Sequence, residues 1–532
     1  MKKFIAMLLC LMLAVSGMAF AEPEANTLPL TQEKATLTMY MQIASGLQNL
    51  IDDYNESPTV QKMEELTNVH IDFVNPPVGD DGTFFNMLIA SGEYPDIFVA
   101  PDELGRDYPG QTDGAIEDKI VINPNELIEK YASNFMAMYN GLSDKDKLRF
   151  KTDGGVYKFG NQGSNVVKNK QHTGLIIRKD WLDELNLEVP QTYEDFANVL
   201  RAFKENYNTT VPFAFAGFSD YYITNGNVLS SGYGVTWDTF ILDEEGKVTH
   251  SYLQEGYKNY LSTLASWMQE GLIDVDNINR SHDDCKKLLY TGQAGVIEIG
   301  NWETNEVAQL GALEDEKFVI VPMNTLRQTG DEDKVLGFSN TMGNGSSSRY
   351  FVSTTCKDPV LAIKWIDNLY NPETNLLTTF GVGDLGDGNT TYVVDENGNY
   401  SYSDYMYNQP DFPFATFRLK HYIQNWTTQT LDSMELAQYN TQLNLDCWDI
   451  WTKNVDNSRL IPDPVSLTSD ESRLVSETMT EIKTYMSELA LKIICGEADL
   501  TAWDEAVAKL PGMGIDDAIA AEQAALDRYN AR

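Results

Sequence analysis

The stretch Arg178-Lys179-Asp180-Trp181-Leu182-Asp183-Glu184-Leu185-Asn186-Leu187-Glu188-Val189-Pro190-Gln191-Thr192 decides how this chain is read. An amphipathic turn, a proline stop and a fresh capping threonine follow one another without slack. Beyond them Phe196, Val199, Leu200 and Phe203 recur at helical spacing, which predicts a helix to about Lys204 with one apolar face. Thr192 with Asp195 three positions later forms a capping pair at its start. On their own these residues read as a helix–turn–helix piece of an α/β protein.

Working outward, Ala35 to Ile43 alternates like a strand, Val60 to Leu66 reads as a helix and Val69 to Val74 as a second strand. Phe84 to Ile89 is helical again, and Ile97 to Ala100 begins a third strand. That alternation predicts a parallel sheet with helices on its faces, where ligands sit beyond the carboxyl ends of the strands. The loops after Ile43 and after Val99 are the first places to look. Lys286 to Trp302 reads helix, glycine turn, strand, loop; Val319 to Met323 is another strand; Pro359 to Tyr370 is an amphipathic helix. Val475, Met479, Ile482, Met486, Leu489 and Ile493 step by four and three along a long helix ended by Gly496. Gly381 to Tyr407, rich in Gly, Asn, Asp and Tyr, reads as loops or a hairpin.

The segment IRKDWLDELNLEVPQTYEDFANVLRAFKEN (177–206) closely resembles bacterial extracellular solute-binding proteins, the substrate receptors of ABC importers, in their large carbohydrate-type branch. NVHIDFV (68–74), NMLIASGEYPDIFVA (86–100), TDGAIEDK (112–119), KKLLYTGQAGVIEIGNW (286–302) and the closing WDEAVAKLPGMGIDDAIAAEQAALDRYN (503–530) follow in that family's order. The resemblance implies an α/β fold: a two-lobed periplasmic-binding-protein fold of type II, each lobe a mostly parallel sheet flanked by helices, joined by hinge crossings. The expected divisions are a signal peptide (1–21), lobe 1 in two parts (22–155 and 336–420), the first part of lobe 2 (156–335), and a C-terminal helical region completing lobe 2 (421–532). In the run Ser91 to Ile97, Gly92 and Pro95 shape a tight turn and Asp96 is read as its structural cap.

Composition narrows the class. A net charge of −40 leaves no positive field for nucleic acid or for an anionic membrane surface. Hydrophobic content of 42%, with 27 Tyr, 22 Phe and 9 Trp, suffices for large cores plus an aromatic-lined cleft. Lys2 and Lys3, the apolar run Phe4 to Val15 and the small-x-small site Ala19-Phe20-Ala21 read as an export signal, with cleavage expected near Ala21 and a mature chain starting at Glu22. The location is therefore expected to be extracytoplasmic: periplasmic, cell-surface or secreted. Cys10 lies within the apolar core with no small residue beside it and does not read as a lipidation cysteine. Cys285, Cys356, Cys447 and Cys495 are read as structural thiols, an even number that also permits disulfides.

Gly381 to Gly386 fits GxGxxG but lacks the strand before and helix after that a dinucleotide site needs. His70, His172, His250, His282 and His421 are scattered and read as structural or surface groups. Some relatives carry a calcium loop after the helix that follows the opening motif. Here that place, Glu205 to Pro212, offers one carboxylate, and neither a metal nor a cofactor is expected.

A sugar presents an apolar C–H face and a hydroxyl rim, so aromatic residues carry the functional reading. Trp302, in a Gly-Asn loop after a buried-looking strand, matches a sugar-stacking position of the family; Trp426 and Trp237 follow it as candidates. Asp102 and Glu103, past the third strand, are candidates for hydroxyls, and Arg178 for a rim donor. The expectation is a monomeric receptor, peripheral to the membrane, that closes on an oligosaccharide or sugar derivative and hands it to an ABC permease. The alternatives are an exported carbohydrate-active enzyme and a receptor for a non-sugar solute such as a peptide. The particular sugar, its length and its linkage are not written in the sequence.

Overall fold

The computed structural model describes residues 25–44, 46–77, 81–105, 107–164, 170–217, 228–330, 334–337, 349–439, 441–462 and 464–532, without the side chains of 81, 101 and 102. The expected signal segment and residues 338–348, near the start of the second part of the expected lobe 1, lie outside the described residues. Eight strands build two sheets: β1 (Ala35–Met41), β2 (Val69–Val74), β3 (Ile97–Val99), β4 (Thr173–Arg178), β5 (Phe213–Ala214), β6 (Val296–Gly300), β7 (Ile320–Pro322) and β8 (Tyr350–Val352).

The first lobe's sheet runs β8–β3–β1–β2. β1 is parallel to β2, with Ala35 opposite Val69, and to β3, with Met39 opposite Ile97; β8 is antiparallel to β3. The second lobe's sheet runs β5–β6–β4–β7, with β5 parallel to β6 and β4 antiparallel to both β6 and β7. Each sheet thus carries one reversed strand. β4 and β8 are the strands laid down directly after the chain crosses from the other lobe, so they enter from the opposite end.

Asp96 ties the first sheet together. Thr38 donates to its Oδ2 from both the amide (2.8 Å) and the hydroxyl (2.9 Å), and the Asp96 amide returns a bond to Thr38 Oγ1. Around the sheet, Leu37, Met39, Met41, Val60, Met63, Ile97, Val99, Phe135, Trp365 and Ile366 make one core. In the second lobe the opening motif is the scaffold. Thr192 accepts from the Asp195 amide and Asp195 reaches back to the Thr192 amide, starting helix Tyr193–Asn206. That helix buries Phe196, Val199, Leu200 and Phe203 in a core where Phe196 meets Phe213 and Trp267 and Phe203 meets Trp181, and to which the long helix Ser469–Ile494 also contributes. Each such side chain contributes roughly 1.5–3 kcal/mol on burial.

Near the junction of the lobes three segments run side by side: the Arg349 amide donates to Phe159 O (2.7 Å), the Gln162 amide to Thr428 O (2.8 Å) and the Thr430 amide to Gln162 O (2.9 Å). Two expected boundaries move. Tyr157 and Phe159 still pack in the first lobe's core, so the first crossing begins after them and not at 155. Residues 421–438 also stay with the first lobe, because Trp426 packs edge-on against Trp365 at 5.0 Å and helix Asp432–Gln438 buries Met434 and Ala437 against Tyr402 and Phe417. The last crossing therefore falls at about Tyr439, and Gln442–Thr452 is the first helix of the returning chain.

Candidate functional site

A cavity of about 840 Å³ opens between the lobes, with one wall from each. The first lobe supplies the loop after β1 (Ala44, Gly46, Gln48, Asn49) and the segment Tyr407 to Gln424. Of the two loops singled out in the sequence, the one after β1 lines the cavity, and no described side chain of the one after β3 does. The second lobe supplies helix His282–Tyr290, the turn after β6 and helix Thr304–Glu314.

Trp302 lines this cavity directly after β6. Its indole folds back over Gly300, where an added Cβ would stand 2.5 Å from the ring, so glycine is what lets the ring lie there. Behind it stand the buried Tyr439 and Trp448, whose rings are 4.6 Å apart. Across the cleft, Tyr407 and Phe414 pack ring to ring at 4.5 Å. The cavity therefore has aromatic surface on both walls.

Around Trp302 the second lobe sets an ionic cluster. His282 and Lys286, one turn apart on helix His282–Tyr290, both reach Glu303: His282 Nε2 lies 2.8 Å from Oε2 and Lys286 Nζ 2.8 Å from Oε1. Lys286 also pairs with Asp283 at 2.7 Å. Burial would raise the Glu303 carboxyl, but the His282 hydrogen bond and the Lys286 charge overcome it and hold it down at about 2. Glu306, one turn on, accepts no hydrogen bond among the described residues, and burial outweighs the pull of Lys286 and pushes its carboxyl above the ordinary range. On the first lobe Arg418 lies over the Tyr422 ring at 4.7 Å and donates to Gln438 Oε1 at 2.5 Å.

The remaining candidates fall elsewhere, and three are corrected. Trp426 is fully buried in the first lobe's core between Trp365 and Phe73, so it has no face for a ligand. Trp237 is 4% exposed and packs on Tyr257 and Tyr260 in the second lobe's core. Arg178 is 2% exposed; it forks onto Asp180 through Nε (2.9 Å) and Nη2 (2.5 Å), and lies between the rings of Trp181 and Phe318. It staples β4 to the following helix and has no rim to offer. Glu103 is half-buried in helix Pro101–Gly105, away from the cavity, and the side chain of Asp102 lies outside the described residues.

Sequence reading missed Lys286, Glu303 and Arg418. The i, i+4 pairing of His282 with Lys286 and the adjacency of Glu303 to Trp302 were visible signals; nothing local marks Arg418, which reaches the cleft through tertiary packing. Among the described residues, no group of three or more His, Cys, Asp or Glu could hold a metal ion, and no helix is long and apolar enough to cross a membrane. In the segment Glu205 to Pro212, Tyr207 stacks on Trp181 at 3.9 Å and donates to Glu184. Cys285, Cys356, Cys447 and Cys495 are free thiols.

Two lobes enclosing a cavity with a wall from each have the architecture of a two-lobed binding protein. The chain belongs to the bacterial extracellular solute-binding protein family, whose model matches residues 41–376. It is 25% identical over 96% of its length, and over 93% of the relative's, to the fructooligosaccharide ABC transporter substrate-binding protein FusA of Streptococcus pneumoniae. It is 22% identical over 62% of its length, and 69% of the relative's, to the melibiose/raffinose/stachyose-binding protein MelE of Bacillus subtilis. Among solved structures, the alginate-binding protein AlgQ2 without calcium ion shares the fold with a TM-score of 0.76 at 21% identity, covering 95% of this chain and 100% of that one.

Proposed function

We propose that this protein is the extracytoplasmic receptor of an ABC importer, and that it captures an oligosaccharide or sugar derivative between its lobes and presents it to the permease. The observation that carries this reading is Trp302, held against Tyr439 and Trp448 on one wall of an interlobe cavity of about 840 Å³ whose other wall carries Tyr407 and Phe414. A volume of that order lies within the range of ligand-binding clefts and has room for an oligosaccharide. The sugar-binding functions named for the relatives support the same class of ligand. Contacts supplied from both walls favour the closed arrangement, and closure is the signal a permease reads.

No reaction is needed for this role. Glycoside hydrolysis requires two carboxyl groups on opposite sides of the scissile bond. Glu303 and Glu306 instead sit three residues apart on one wall, with Glu303 occupied by His282 and Lys286. The test is calorimetric titration of the chain with oligosaccharides, with reducing ends assayed in the same samples. Saturable binding without new reducing ends supports the receptor; new reducing ends would make it an enzyme, and saturable binding of peptides alone would make it a receptor of another class.

A further inference from the structure

We propose that the glycan taken by this cleft is uncharged, and that the charges built into its walls reject chains of uronic acids. This rests on the carbohydrate reading above and narrows it. The second lobe's wall carries three carboxylates, Asp283, Glu303 and Glu306, against the single ammonium of Lys286, with His282 bonded to Glu303. Lys286 is already held between Asp283 (2.7 Å) and Glu303 (2.8 Å), so the protein itself satisfies the charge a uronate would seek.

On the facing wall Arg418 is in a similar position. Arg418 is 7% exposed, and its guanidinium lies over the Tyr422 ring and donates to Gln438. The buried carboxyl of Glu435, on the adjoining helix, feels its charge. Among the described lining residues, Lys286 is thus matched by carboxylates and Arg418 is engaged by Gln438 and the Tyr422 ring, while Glu306 has no hydrogen-bond partner among the described residues. A uronate entering beside Glu306 meets like charge, and such a juxtaposition costs several kcal/mol.

The same groups suit a neutral polyol. A carboxylate accepts a strong charge-assisted hydrogen bond from a hydroxyl. Glu306 can serve as such an acceptor, and the amides of Gln48 and Asn49 on one wall and Gln309 on the other can both donate and accept. Trp302 and Phe414 cover the C–H faces. The recognition chemistry is hydroxyl rims against amides and one acid, and apolar faces against rings.

The experiment is a matched calorimetric titration of the full chain with neutral oligosaccharides (fructo-, gluco- and galacto-oligomers) and with oligogalacturonides of the same lengths, repeated on Glu306→Gln. Neutral chains are expected to bind about 100-fold or more tightly than uronides of equal length, the equivalent of about 2.7 kcal/mol. Glu306→Gln is expected to narrow that gap while its melting curve stays that of the parent. Equal or tighter binding of uronides overturns the proposal, as does a gap that Glu306→Gln leaves untouched. If neither class binds while peptides do, the carbohydrate reading itself falls.

Discussion

Arg528, on the last helix of the second lobe, grips Asp153 in a turn of the first: its Nε donates to Asp153 Oδ2 at 2.7 Å, while Arg532 takes the other oxygen at 2.7 Å. The same Arg528 forks onto Glu471 through Nη1 (2.7 Å) and Nη2 (2.5 Å), at the start of helix Ser469–Ile494. Arg473 of that helix reaches Glu117 and Asp118 of the first lobe. None of these residues lines the cavity. The lobes are therefore held by an ionic clasp separate from the ligand's walls.

Removing the clasp should loosen the lobes without altering the cleft. Burial would raise the Asp153 carboxyl, but Arg528 and Arg532 hold it below the ordinary carboxylate range. A lowered folded-state value means the clasp stabilises at any pH above the unfolded value of about 3.9, and that this contribution is lost as pH falls through the folded value. Asp153→Asn is expected to cost about 1–3 kcal/mol at neutral pH, between the values for exposed and fully buried pairs. Urea melts at pH 7 and pH 3 check this: the difference between parent and variant should shrink at the lower pH. An unchanged melt at pH 7 would contradict it.

Trp302→Ala should separate binding from folding. The ring is half-buried with one side on Tyr439 and Trp448, so its loss should shift ligand-free stability by only about 1 kcal/mol. Glycan affinity should drop about tenfold or more, in line with a lost aromatic contact of about 1.4 kcal/mol. The paired measurement is a thermal melt without ligand and a titration with it.

Trp426→Ala should do the reverse. That ring is fully buried against Trp365 and Phe73, and truncating it leaves a large cavity in the first lobe's core. The expected loss is about 3–5 kcal/mol of stability. Trp426→Phe, which keeps part of the volume, should recover much of the melting point and bind glycan like the parent.

The contrast between these two tryptophans shows what the sequence could and could not convey. Local signals carried well: the capping pair Thr192 and Asp195, the strand Val69–Val74 and the long C-terminal helix are all set by residues within a few positions of one another. Trp302 was legible for the same reason, since a glycine, a loop and the end of a strand adjoin it. Gln-Asn-Trp-Thr around Trp426 looked equally polar, yet the ring turns inward because Trp365, some sixty residues away in the chain, closes over it. Arg178 misled in the same manner: a charged residue after an apolar strand reads as exposed, but Asp180 neutralises it two positions on and two rings cover it. Arg418 and Glu435 meet only through packing of the first lobe's satellite helices, and no spacing in the chain announces them.

Two carboxyls buried without a close countercharge set the last expectation. Burial pushes Glu435 and Glu522 up to about 7, against the weak opposing pull of Arg418 on the first and with added repulsion from Glu471 on the second. Because the folded values lie above the unfolded ones, the folded protein holds more protons than the unfolded chain between roughly pH 4 and pH 7. The stabilising contribution is complete below the unfolded value and is lost as pH rises through the folded one. Stability should therefore fall on going from pH 5 to pH 8, and Glu522→Gln should flatten that decline by making the group neutral throughout. Melts at pH 5, 6, 7 and 8 on parent and variant test this. Parallel curves, with the variant no steadier than the parent, would show that Glu522 is ionised at low cost in the folded chain.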